Sequence, residues 1–306
     1  MSTVKLDNSN ISVHLGQTSK YKSSYDESLL VREPRSNNRT HLNIDDDKLP
    51  FVGGDIWNAY EVSALTETGV PVTGFAKIYY PCDSKYIVES KSIKLYFNSF
   101  NMTKLGRSVE DVMKAVEYMA SRDLSKLLET QAKVRVFPAD VRHGTRGYFK
   151  HYTTLESIID IPRLTCNVYS EDQSLIEIEQ EFNTSPVTQR YHSSLLKSNC
   201  RVTSQPDWGD IYVHMKSLNT IAPESLLRYI VSFRDECHFH EEICETVYKR
   251  LYDIFSPDEL MVTCLYVRRG GIDINPVRAN KQSLLDDGDT RSLLNVNHPF
   301  IKTSRQ

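Results

Sequence analysis

The 306-residue sequence contains no run near the ~18 apolar residues that a membrane-spanning helix needs. Its start, Met1-Ser2-Thr3-Val4-Lys5-Leu6, lacks the apolar core of a secretion signal. A cytoplasmic protein without membrane partners is therefore expected. The six cysteines are scattered and form no CxxC pair, which excludes a disulfide framework and points to reduced thiols. There is no excess of basic charge: Lys+Arg number 37 against 40 Asp+Glu, for a net charge of -3, so direct nucleic-acid binding is not expected. No GxGxxG follows a strand pattern and no GxxxxGK[ST] occurs, so a nucleotide cofactor would have to be held in another way. What remains is ordinary. The 40% hydrophobic and 25% charged residues exclude disorder as the main state, and the length suits two domains or one unit built twice.

Residues 1–48, rich in Ser, Asn and Asp, read as a mostly irregular arm, with Leu29-Leu30-Val31 and Leu49-Pro50-Phe51 available to dock on the body. Residues 56–65 and 70–80 are β-branched and aromatic and flank Thr66-Glu67-Thr68-Gly69, which predicts a hairpin. Ile93, Tyr96, Phe97 and Phe100 recur at helical spacing, as do Val109, Val112, Met113, Val116 and Met119, and 132–137 alternates as a strand does. The order returns later: strands at 190–203 and 210–216, helices marked by Leu226, Tyr229, Ile230 and Phe233 and by Ile243, Val247 and Leu251, then a strand at 260–267. Ser92-Ile93-Lys94-Leu95-Tyr96-Phe97-Asn98-Ser99-Phe100 lies over Ser225-Leu226-Leu227-Arg228-Tyr229-Ile230-Val231-Ser232-Phe233 with Ser, Tyr, Ser and Phe identical. The expectation is an α+β protein of two tandem modules, 49–167 and 189–306, joined by a polar connector at 168–188.

Four segments carry candidate chemistry. Leu196-Lys197-Ser198-Asn199-Cys200 through Gln205-Pro206-Asp207-Trp208-Gly209 places a thiol and a carboxyl on one hairpin, with Pro206 and Gly209 suited to the second and last positions of its tight turn. A partly exposed thiol in a basic setting becomes a nucleophile; Lys197 and Arg201 supply charge and Asp207 can move protons. The same letters suit a buried structural thiol. In Cys237-His238-Phe239-His240-Glu241-Glu242-Ile243-Cys244, no CxxC, HExxH or second cluster accompanies the Cys and His residues, so no metal is expected. His240 falls on the inward face and Glu241 in the first helical turn. They read either as a plain helix start or as a pair facing a guanine-like N–H edge. Val88-Glu89-Ser90-Lys91 precedes a helix, with Ser90 the expected N-cap; free N–H groups and Lys91 make either an anion site or a capped, solvated helix end. Arg268-Arg269-Gly270-Gly271 follows a strand and reads as a phosphate-binding turn or a plain one.

Together with Leu49-Pro50-Phe51, Asp55-Ile56-Trp57, Glu89-Ser90-Lys91-Ser92-Ile93-Lys94-Leu95-Tyr96, Phe239-His240-Glu241 and Arg268-Arg269-Gly270-Gly271-Ile272-Asp273-Ile274-Asn275-Pro276, these segments resemble the bimodular 7-cyano-7-deazaguanine reductases, NADPH-dependent nitrile reductases of queuosine biosynthesis. The resemblance implies a tunnelling fold, a homodimer, no metal and a site between modules. It implies that Cys200 forms a thioimide with the nitrile carbon and that Asp207 donates the proton. Val88, Glu89, Ser90, His240 and Glu241 would hold the deazaguanine, and Ser90, Lys91, Arg269 and Gly270 would hold NADPH. Arg201, after the nucleophile, and Val267, before the double Arg, depart from the family pattern. A relative that hydrolyses or aminates the nitrile without hydride, and a non-catalytic base-binding protein, are the alternative readings.

Overall fold

The computed structural model describes residues 24–138, 149–180 and 183–298. The first 23 residues of the expected arm, and 299–306 of the expected second module, lie outside them. In the first half, Val52–Leu65 and Pro71–Pro81 pair as a hairpin around Thr66–Gly69, where Gly69 takes a φ of 87°. Lys133–Pro138 then adds to the outer side of Pro71–Pro81. The helices Ser90–Ser99 and Val109–Leu128 cover one face, because Ile93, Tyr96, Phe97, Val112, Val116 and Leu124 all fall on their inward stripes. The second half repeats this: Val187–Cys200 pairs with Pro206–Ser217, Glu259–Tyr266 adds outside, and Pro223–Ser232 and His240–Phe255 cover the face.

A strand that the sequence pattern did not suggest, Ile272–Ala279, joins the halves. It pairs antiparallel with Glu259–Tyr266 on one side and Val52–Leu65 on the other, giving one nine-stranded sheet over two cores. Asp273, Asn275 and Pro276 are poor strand formers and Arg278 is charged, yet the whole strand is buried. Their polar groups are satisfied across the junction. Asn58 Nδ2 and Tyr60 OH each donate to Asp273 at 2.6 Å, and Asn275 Nδ2 does so at 2.6 Å as well.

Residues 24–48, expected to be irregular, carry a short strand Arg32–Pro34 paired with Tyr86–Val88 and a helical turn Ser36–Arg39. Arg35 and Arg39 are buried there. Arg35 pairs with Asp55; Arg39 donates twice to Glu245, at 2.8 and 2.9 Å; Arg278 reaches Asp55 and Glu245 at 2.8 Å each. Burial alone would raise both carboxyls. The guanidiniums outweigh it, led by Arg278, holding Asp55 below the ordinary range and Glu245 at about 2. The arm, both halves and the joining strand thus meet in one buried ionic cluster.

Candidate active site

Cys200 ends its strand and Pro206 begins the next, so the turn is Arg201–Gln205 rather than the expected Gln205–Gly209. Proline suits the first residue of a strand, where no ladder N–H is required. Cys200 N donates to Gln205 O at 2.8 Å, Ser204 N donates to Cys200 O at 2.9 Å, and Ser204 closes the turn in the left-handed region at φ 53°. Asp207 is therefore a strand residue, buried and opposite Ser198 in the ladder.

Burial pushes the Cys200 thiol up, but hydrogen bonds from the Thr203 hydroxyl, the N–H groups of Thr203 and Val202, and the Arg269 guanidinium outweigh it and set the thiol below its ordinary value. Arg269 Nη1 also lies 3.1 Å from Asp207 Oδ1. Asp207 Oδ2 is 3.3 Å from His240 Nε2, outside hydrogen-bond geometry, and the His240 ring stacks on Tyr266 at 3.9 Å.

A cavity of about 250 Å³ brings Cys200, Val202, Thr203 and Gln205 of the second half against Glu89, Ser90, Lys91 and Lys94 of the first, with Arg269 and Gly270 completing the wall. Larger hollows exist, including one of about 920 Å³ lined by Asp46, Phe51 and Arg291, but it contains none of the candidate site residues. The helix cap is Glu89, not Ser90 as expected: its carboxylate accepts from Lys91 N at 3.1 Å and Ser92 N at 2.7 Å. Two N–H groups expected to be free for an anion are therefore taken. The cations Lys91, Lys94 and Arg269 remain to attract one.

Val88 is buried in the first half's core and does not line this cavity. His240 and Glu241 open the His240–Phe255 helix beyond Asp207, and they do not line it either. Glu241 is buried, with Tyr80 OH donating to it at 3.4 Å. Burial first, then Asp55, raise its carboxyl to about 8, against the pull of Arg35 and Arg278. Arg201, the departure beside the nucleophile, donates to Glu242 at 2.7 Å and covers the Phe239 ring. The cysteines and histidines of 237–244 diverge. Cys237 is exposed, Cys244 donates to Val262 O in the core, and His238 sits between Glu236 and Glu242. Those carboxylates outweigh burial and raise His238 to about 9, in its cationic form. Among the described residues, no cluster of three His, Cys, Asp or Glu could hold a metal ion.

Sequence reasoning missed Thr203 and Gln205 because it placed the turn too late. It missed Lys94 although a signal existed: Lys94 stands three residues after Lys91, on the same helical face.

Two helix-backed half-sheets joined edge to edge make this an α+β protein, with a lowered thiol in the cavity at their junction. A family model described as nitrile reductase, 7-cyano-7-deazaguanine-reductase N-term matches residues 21–136, and one described as QueF-like protein matches residues 206–284. Proteins named NADPH-dependent 7-cyano-7-deazaguanine reductase align along nearly the whole chain. That of Rickettsia massiliae is 40% identical over 278 residues, 90% of this chain and 96% of its own. That of Colwellia psychrerythraea is 40% identical over 87% of this chain and 91% of its own, and that of Cupriavidus metallidurans 41% over 87% and 92%. The chain belongs to this reductase family. No helix among the described residues is long and apolar enough to cross a membrane.

Proposed function

We propose that this chain reduces the nitrile of 7-cyano-7-deazaguanine to the aminomethyl group with NADPH, in queuosine synthesis. One observation carries the reading: Cys200, its thiol lowered by surrounding donors, shares a cavity with Glu89, Ser90 and Lys91 of the other half and with Arg269 and Gly270.

Cys200 Sγ adds to the electrophilic nitrile carbon, one C–N π bond opens, and the nitrogen takes a proton. Nothing leaves, so the adduct is a thioimide. Asp207 is the proton source, and His240 beside it relays protons. Glu241, with Glu89 on the other wall, accepts from the N–H edge of the base. Burial raises the Glu241 carboxyl to about 8, so its ionised form is favoured once the base's N–H donors face it, the proton passing to solvent. Val88 offers the base its backbone, since its side chain lies in the core.

The residues present suit a phosphate-bearing cofactor. Lys91, Lys94 and Arg269 supply cations, Ser90 a hydroxyl, and Gly270, where a Cβ would come within 3.2 Å of Lys94 Nζ, leaves the wall low. NADPH, when bound, supplies the hydride for each of the two reductions between nitrile and amine.

The reading includes a cytoplasmic homodimer that acts on the free base and not on nucleic acid, in keeping with the net charge of -3. Among the described residues Lys133–Pro138 is an edge strand of the sheet, which pairing with a second copy would cover. It also includes the division into modules 49–167 and 189–306 about a connector at 168–188, although the cores cross those bounds: Leu155 and Ile159 pack in the second core, and Ile272 and Ile274 in the first. The test is NADPH absorbance after addition of 7-cyano-7-deazaguanine, with product mass. Loss of NADPH with formation of the amine is expected. NADPH left untouched, or an amide product, would overturn the assignment.

A further inference from the structure

We propose that Arg269 activates the nucleophile before any cofactor is present, a role separate from holding phosphate. The inference rests on the reading of Cys200 as nucleophile and extends it.

Arg269 stands on the turn after Glu259–Tyr266. Arg269 N donates to Ile272 O at 2.9 Å, and Gly270 and Gly271 take φ values of 60° and 78°. That fold of the backbone returns the side chain over the Cys200–Asp207 hairpin. Although 37% exposed, the side chain meets the hairpin twice: Nη1 lies 3.1 Å from Asp207 Oδ1 and donates to Gln205 O at 3.4 Å. Both contacts hold the guanidinium over the cavity that Cys200 lines, where it helps to lower the thiol. One cation therefore meets both the thiol and the carboxylate that the reaction needs. The thiol and the Asp207 carboxyl hold one proton between them, which leaves the sulfur as it attacks and passes through Asp207 to the nitrile nitrogen. A planar guanidinium with five N–H donors can meet whichever of the two is ionised.

The other charged groups around the cavity are disposed differently. Lys91 and Lys94 come from the first half, Lys94 beside Gly270 and paired with Glu61 at 3.5 Å, and each Glu89 oxygen accepts one N–H of its own helix. His240 stands beyond Asp207, and Arg201 is turned to Glu242. The groups that lower the thiol are Thr203, Val202 and Arg269, and among these Arg269 alone brings a charge.

The first chemical step needs no hydride. The sulfur–carbon bond forms, the nitrile nitrogen takes a proton, and nothing is expelled. A residue that only holds phosphate would leave that step unchanged; a thiolate-stabilising residue would not. The test follows intact-protein mass after adding 7-cyano-7-deazaguanine without NADPH, across the thiol's titration range, in wild type, Arg269→Gln and Arg269→Lys. Alkylation of Cys200 by iodoacetamide, located by peptide mass, gives a second readout that needs no nitrile. We expect Arg269→Gln to shift the pH midpoint of both reactions upward by about one unit and to slow each about tenfold near neutral pH. Arg269→Lys should fall between, since it keeps the charge and loses the fork. Superimposable profiles for wild type and Arg269→Gln would overturn the proposal. If wild type alkylates at Cys200 but takes up no nitrile, the reductase reading fails, while the alkylation profiles still decide the part of Arg269.

Discussion

The Ser90–Ser99 helix of the first half and the Pro223–Ser232 helix of the second hold equivalent places, and their packing groups match one for one. Ser92 Oγ donates to Glu89 O at 2.7 Å and Ser225 Oγ to Ala222 O at 2.9 Å. Ser99 Oγ donates to Tyr96 O at 2.6 Å and Ser232 Oγ to Tyr229 O at 2.7 Å. Each tyrosine hydroxyl finds a carboxylate, Tyr96 to Asp123 and Tyr229 to Glu171, and Phe100 and Phe233 are both fully buried. The positions that face the cavity differ. Glu89, Lys91 and Lys94 line it in the first half, where the second has Ala222, the exposed Glu224 and Leu227, which is drawn into the core. The hairpins diverge likewise: Thr66–Gly69 is a plain turn, while Arg201–Gln205 wraps the Cys200 sulfur in donors. Groups that bind helix to sheet are shared between the halves. Groups free of that duty have diverged, and the site is built from the divergence.

The comparison breaks most severely at Cys200. Cys200→Ala should abolish turnover and the mass gain seen with nitrile alone, whereas Cys82→Ala and Cys244→Ala should retain the gain. An adduct that survives loss of Cys200 would place the chemistry on another thiol.

The ionic cluster joining the halves comes next. Glu245→Gln leaves Arg35 and Arg278 with Asp55 and Arg39 with only the part-exposed Asp46. It should cost about 3–5 kcal/mol in denaturant unfolding at neutral pH. The folded Glu245 value, about 2, is depressed, so its stabilisation is complete above the ordinary carboxylate range and fades only as pH falls towards 2. An unchanged midpoint would mean that the arm is not held through this carboxylate.

Glu241→Gln should weaken base binding by about ten- to a hundredfold, through loss of charge-assisted bonds of roughly 1.5–3 kcal/mol. Stability should move the other way. With the folded value raised to about 8 from 4.5, the Glu241 contribution is present below pH 4.5 and is lost as pH rises through 8. The variant should therefore be the more stable protein above pH 8 and match wild type in acid. Equal stability at high pH would show that Glu241 is not held protonated.

The smallest effect sharpens the helix comparison directly. Lys91→Ala should raise KM for NADPH about tenfold, the loss of one charged contact. The equivalent change in the second half, Glu224→Ala, should leave KM unaltered. Equal effects would mean that the two helices are not functionally distinct.

The repeated strands and helices were legible because each buries one stripe, and a stripe is a local pattern. Ile272–Ala279 was not legible. Its polar residues become acceptable in a strand only because Asn58 and Tyr60, 215 and 213 residues away, satisfy Asp273. The cap at Glu89 rather than Ser90 has a similar cause. Glu89 N donates to Val31 O at 2.9 Å, and that pairing with the arm holds Glu89 extended, so the helix starts one residue later. Of the site, the segments around Cys200, Glu89 and Arg269 could be singled out from their letters. The turn was misplaced because Pro206 and Gly209 suit a turn equally well when Pro opens a strand.

The sequence by itself determined the duplicated architecture, the family and the candidate residues for the chemistry, since all three rest on local spacing and residue type. Only the tertiary structure decided their electrical state. Whether Cys200 is a lowered thiol, Glu241 a raised carboxyl or Glu245 a depressed one depends on which charges and dipoles surround it in the fold. Burial strengthens those interactions by excluding water. The decisive neighbours come from elsewhere in the chain, as Arg39 does for Glu245 across 206 residues, and no local pattern records them.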